Sequence, residues 1–222
     1  MGYDTVTMIV AFALPIVRAP FGAGLAVMLA ATVVTAQDIA PQARVSAGDT
    51  WTYQRTNRLN NQVTTWTLRV EEVTDDRILA RSGSATERFT LDWNFIDSST
   101  GESWAPHTGL FVFPMQPGQS RELRQQRTNA QRQGQTRQGK VIVHGWETVK
   151  VPAGEFRALR LVFEGRYENA ASAAQSGHFK QTFWWAPDAR RWVRQDFWFS
   201  HWGGSGTDTD SRTELTSFTP GP

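Results

Sequence analysis

The chain has 222 residues and a net charge of +2, with 23 Lys and Arg against 21 Asp and Glu and no cysteine. The missing cysteine excludes disulfides, thiol catalysis, Cys-ligated zinc and lipid attachment at a lipoprotein cysteine. A pI near 9.3, carried almost wholly by Arg, marks a mildly basic chain rather than a polycation.

Gly22 to Val34 (GAGLAVMLAATVV) is an apolar run preceded by Arg18 and followed by Val34-Thr35-Ala36, small residues at the −3 and −1 positions of a cleavage site. This predicts a signal peptide over residues 1–36, with Gln37 as the new N-terminus and a periplasmic or secreted product. Met8 to Val17 is apolar as well. It is read either as upstream of the true start or as half of a retained membrane anchor. Pro15, Arg18 and Pro20 interrupt such an anchor, and each half is shorter than the roughly 20 residues a span needs. Residues 37–48 form a polar leader and 49–219 a single β-rich domain.

Within that domain Thr50 to Thr56 reads as a strand carrying Trp51 and Tyr53 on one face. Gln62 to Val73 alternates Trp66, Leu68 and Val70 against Thr65, Thr67, Arg69 and Glu71. Arg77 to Arg81 follows a tight Asp75-Asp76 turn. Thr86 to Phe95 alternates most cleanly, with Phe89, Leu91, Trp93 and Phe95 in phase. Leu110 to Phe113 reads as a short strand closed by Pro114. Arg121 to Lys140 carries six basic residues and one acid without aromatics. It is expected to begin and end as strand around a solvated tip. No 11-residue stretch after Ala36 shows helical periodicity.

Val141 to Trp202 holds four strands in two hairpins. Val149 to Phe156 encloses a Pro-Ala-Gly turn, where Pro152 fixes φ and Gly154 is free to take a positive one. The second hairpin returns through Trp192 to Trp202. Strict alternation there places Val193, Phe197 and Phe199 in the core, with Trp192, Trp198 and Trp202 opposite. Aromatics on both faces exceed what a sheet with one wet face needs, so the second face is either covered or lines a groove. Three motifs carry a resemblance: Phe113-Pro-Met-x-Pro-Gly118, Val151-Pro-Ala-Gly-x-Phe-x-Ala158 and Trp184-Trp-Ala-Pro187. Over roughly residues 45–200 the chain resembles exported bacterial domains of the TapB-like group, whose fold is similar to the curved sheet of LolA-like proteins. It departs from that pattern after Ala186-Pro187, where Asp188-Ala-Arg-Arg replaces a Gly-rich turn. The resemblance implies a fold and no catalytic residue.

No catalytic constellation emerges. His107, His144, His178 and His201 lack metal-ligand spacing, and no metal or cofactor is expected. Gly203-Gly-Ser205-Gly lacks the strand-to-helix context of a nucleophile elbow. Asp208 and Asp210 are too few ligands for calcium. Glu147, Glu155, Glu164 and Glu168 could pair for glycoside hydrolysis but occupy positions that usually face water. Arg124, Arg127, Arg132 and Arg137 are candidates for contact with an anionic surface, such as lipopolysaccharide or phospholipid headgroups. They lack the aromatics that stack on bases, so no nucleic acid is expected.

The sequence thus predicts a mainly β fold: a curved antiparallel sheet or half-open barrel of about nine to eleven strands, preceded by an N-terminal signal helix. The functional expectation is a non-enzymatic, exported cell-envelope protein. It would bind an apolar or lipid ligand, or an envelope protein partner, in an aromatic-lined concavity that includes Trp184, Trp192, Trp198 and Trp202. An interaction subunit of an envelope or surface assembly, docking by an exposed strand edge, is the alternative. A hydrolase comes last.

Overall fold

The computed structural model describes residues 39–171, 175–203 and 208–222. The expected signal helix, and the centre of the Gly203–Thr207 segment, lie outside them. The rest is almost entirely strand. In chain order these are β1 (Thr50–Asn57), β2 (Val63–Val73), β3 (Arg77–Ser82), β4 (Ala85–Thr90), β5 (Phe95–Ser98), β6 (Ser103–Ala105), β7 (Ser120–Thr128), β8 (Gly134–Val151), β9 (Gly154–Asn169), β10 (Gly177–Ala186), β11 (Arg191–His201) and β12 (Thr209–Thr219). Each pairs antiparallel with its neighbour in sequence, and β1 pairs with β12 from Thr50↔Thr219 to Asn57↔Ser211. The expected curved sheet therefore closes into a twelve-stranded barrel. Closure leaves no full-length free edge among the described strands, and an edge-docking assembly subunit needs one.

Alternation along each strand sorts the two faces. Trp51, Tyr53, Leu68, Val70, Ile78, Ala80, Phe89, Leu161, Phe163, Phe179, Phe183 and Trp185 are buried. The outer wall carries cross-strand ion pairs, Glu147 with Arg160, Glu164 with Lys180 and Glu71 with Arg81. Asp196 takes Arg58, Arg194 and Arg212 together. A lipid-facing barrel needs an apolar outer band, and this charged wall is the reverse.

Sequence periodicity misplaces two elements. The Thr86–Phe95 alternation is cut, because Trp93 takes φ +63 and turns the chain between β4 and β5. Asn94 then replaces ladder bonds with its side chain, donating from Nδ2 to the Phe111 carbonyl at 2.7 Å and accepting from the Phe111 N–H at 2.9 Å. Leu110–Phe113 is accordingly a loop rather than a strand, burying Leu110 and Phe111 and leaving Val112 exposed. Phe111 packs on Phe183 and Trp185, each at 5.3 Å between ring centroids, and Phe113 on Trp185 at 4.9 Å. Ala40 and Met115 exchange two backbone hydrogen bonds beside them. These residues form the closed end of the barrel, beside a smaller cavity of about 210 Å³ that Leu110, Pro114, Met115, Val141, Val143 and Leu161 help to line. The β8–β9 hairpin reinforces this end: its tip crosses to β12, where the Ala153 N–H donates to the Leu215 carbonyl at 3.0 Å. The Arg121–Lys140 segment is ladder to within a few residues of its turn, from Ser120↔Ile142 to Thr128↔Gly134.

At its other end the barrel is thinner. β5 and β6 share a single residue pair, Asp97↔Ser103, supplemented by the Ser98 N–H to the Glu102 carbonyl at 2.8 Å.

Candidate ligand site in the barrel lumen

The interior changes character from the closed end to the mouth. Strand positions that carry Trp, Leu and Phe near the closed end carry Arg, Gln, Ser and Thr further along. On β1 the inward series is Trp51, Tyr53, Arg55; on β12 Ser211 and Thr213 precede Leu215. On β8, Arg137 stands four residue pairs above Val141, and on β10, Gln181 lies between Phe179 and Phe183. These polar positions converge on a cavity of about 390 Å³, lined by Arg55, Trp66, Glu102, Trp104, Arg127, Arg137, Gln181, Gln195, Phe197, Ser211 and Thr213. Its size falls in the roughly 300–1,000 Å³ range of small-molecule sites, but eight of its eleven lining residues are polar, with ring faces from Trp66, Trp104 and Phe197.

The charges in this cavity are unevenly satisfied. Arg127 pairs with Glu102 at 2.8 Å and donates to Gln135 at 2.8 Å. Arg55 donates to Ser211 Oγ at 3.1 Å. Arg137 has no ion-pair partner among the described residues, and its buried Nε has no hydrogen-bond acceptor. Four rings surround its guanidinium, Trp104, Phe197, Phe179 and Tyr167, at 5.2 to 5.7 Å from their centroids. Burial, reinforced by repulsion from Arg127, pulls Arg137 down to about 10, so it stays charged at neutral pH. Burial would raise the Glu102 carboxyl, but the Arg127 hydrogen bond and charge, with the Trp104 N–H, leave it lowered.

A second guanidinium, Arg191, lies deeper. Trp93, Trp192, Tyr53, Phe89 and Trp51 enclose it at 4.8 to 5.9 Å. Tyr53, pushed up to about 12 by burial against the pull of Arg191, donates to the Trp192 carbonyl at 2.7 Å. Inward-facing Glu87 is raised by burial, with Arg191 opposing and Glu102 assisting.

The four tryptophans expected in one concavity divide between the two faces. A bulge in β11 opposite Trp184 and Trp185 turns Trp192 inward, onto Tyr53 at 4.3 Å and Phe183 at 5.9 Å. Trp184 is on the outer wall, donating to Glu147 and stacked by Arg194 at 4.3 Å. Trp198 and Trp202 are 37 % and 42 % exposed on that same wall. The bulge shifts alternation by one residue, which strict periodicity does not register. The arginines divide as well: Arg127 and Arg137 face the cavity, Arg124 is exposed on the outer wall, and Arg132 sits in the β7–β8 turn with φ +61. Arg55, Glu102, Trp66 and Trp104 were not among the expected site residues. Trp66 was readable as inward from the β2 alternation.

The other candidate groups are dispersed. His107 lies by the closed end, His144 and His178 on the outer wall, and His201 pairs with Asp208 at 2.7 Å. Asp210 binds Arg58. No three His, Asp or Glu residues are gathered for a metal among the described residues.

No family model matches the chain, and no curated protein does. Solved structures share its architecture loosely. A candidate lipoprotein from Parabacteroides distasonis aligns over 81% of this chain and 97% of its own, with 11% identity and a TM-score of 0.49. A candidate exported protein with a YmcC-like fold from Bacteroides fragilis covers 81% and 99%, at 16% identity and TM-score 0.46. The hypothetical lipoprotein YmcC from Escherichia coli covers 77% and 84%, at 9% identity and TM-score 0.45. None of these three bears the TapB or LolA name, and likeness at this level carries no function across.

Proposed function

We propose that the chain is a non-enzymatic binding protein, exported to the cell envelope or beyond, that holds a small ring-bearing or apolar molecule in the mouth of its barrel. The observation that carries this reading is the cavity of about 390 Å³ walled by Trp66, Trp104 and Phe197. Export rests on Arg18, the Gly22–Val34 run and the Val34-Thr35-Ala36 site. Two carboxyls driven apart in proton affinity, here Glu87 and Glu102, would suit acid–base chemistry. However, Glu102 is tied to Arg127 and Glu87 does not line the cavity, so binding is favoured over hydrolysis. Native mass spectrometry of the protein purified from its own host tests the reading. A reproducible small-molecule adduct, reduced by Phe197→Ala, is expected. A bare protein that also takes up no apolar fluorescent probe would overturn it.

A further inference from the structure

We infer that the ligand is a compact amphiphile bearing one oxyanion, with the anion seated against Arg137 and the ring or chain on Trp66, Trp104 and Phe197. This rests on the lumen being a binding site. The two enclosed arginines of the interior separate the roles. Arg191 is packed between five rings, Tyr53 among them, with its Nε also lacking an acceptor and inward-facing Glu87 acting on it through charge alone. Arg137 likewise has an Nε without an acceptor and no paired carboxylate among the described residues, Glu102 reaching it only through its charge, but unlike Arg191 it borders open space where a ligand can meet it.

A buried cation without a counter-charge is costly. Ring faces offset part of that cost, but they accept no N–H hydrogen bond from Nε comparable to one from an oxygen. The only acid lining the cavity, Glu102, is engaged by Arg127 and by the Trp104 N–H. Arg55 at the rim adds positive charge, steadied by Ser211. Gln181 and Gln195 add amide groups that suit either donor or acceptor atoms of a ligand. One oxyanion would supply the missing acceptor and a directly paired charge together. Carboxylates, sulfonates and phosphate monoesters share this chemistry, whether they come from a lipid or from a free ring acid.

A matched probe pair reads the charge preference directly. 8-Anilinonaphthalene-1-sulfonate and N-phenyl-1-naphthylamine share a ring system and differ by the sulfonate. Wild type should bind the sulfonate about tenfold or more tightly than the neutral amine. Arg137→Met should bring the two affinities together by weakening the sulfonate alone. Arg55→Gln, at an exposed position, should reduce the sulfonate preference in part. Trp198→Ala, on the outer wall, should leave both probes unchanged. Competition by 1-naphthoate or by palmitate, whichever displaces the sulfonate, supports the oxyanion site and identifies its source. If the amine binds as tightly as the sulfonate, or if both arginine variants keep the full preference, the oxyanion is refuted while the lumen reading stands. If neither probe binds, the lumen reading falls and the oxyanion with it.

Discussion

At the scale of single residues, tryptophans of equal size have unequal consequences because the barrel divides them by face. Trp185 is fully buried under Phe111 and Phe113 at the closed end. Trp198 leaves over a third of its surface to solvent on a charged wall. Trp185→Ala should therefore cost about 3–5 kcal/mol, the usual range for emptying a large aromatic site. Trp198→Ala should cost about 1 kcal/mol or less. Urea unfolding of the two variants checks this, and equal losses would mean that the outer wall is covered by something the described residues do not include. The same comparison shows where reading the sequence stops. Period-two alternation identified the inward Trp51, Tyr53, Trp66 and Phe197, because a strand enforces it. It misassigned Trp192, because a one-residue bulge reverses every face beyond it and leaves no mark in composition.

At the scale of elements, the two hairpins were legible because their turns are written in residue types. Pro152-Ala153-Gly154 separates β8 from β9 where expected, and Gly154 has φ +137, a conformation that side chains with a Cβ seldom adopt. A Cβ there would meet only Phe156, at 3.9 Å, so space is available and backbone strain is the whole penalty. Gly154→Val should lower stability by about 1–3 kcal/mol, seen as a lower thermal midpoint; an unchanged midpoint would show that the tip relaxes freely. A different demand falls on Gly139 and Gly165, which face each other across β8 and β9. A Cβ on either would lie 2.0 or 2.1 Å from a carbonyl oxygen of the opposite strand, so the two backbones keep this close approach only because both side chains are missing. The loop at Leu110–Phe113 was illegible for the opposite reason. Its apolar run matches a strand, and only the distant Asn94, bonded to Phe111 through both side-chain polar atoms, decides otherwise.

For the whole molecule, closure is strong at the β1–β12 seam and weak at β5–β6, where side chains do work that the ladder leaves undone. Glu102 joins this weak region to β7 through Arg127. Its carboxyl titrates lower in the folded barrel than in the unfolded chain. The stabilisation is complete above the ordinary carboxylate range and disappears as pH falls through the lowered folded-state value. Glu102→Gln should thus be less stable than wild type at neutral pH, with the gap narrowing as pH falls below the ordinary carboxylate range. Protection of the β6 amides relative to their intrinsic exchange rate should be lower in the variant at neutral pH, and should fall in wild type only on acidification; a pH-independent gap would assign Glu102 a purely steric role. The end formed by Phe111, Phe113, Met115 and the β8–β9 tip has a further consequence. Under the proposed reading, whatever enters the larger cavity past Arg55 leaves past Arg55, so the barrel would act as a cup and not a pipe, holding one occupant at a time.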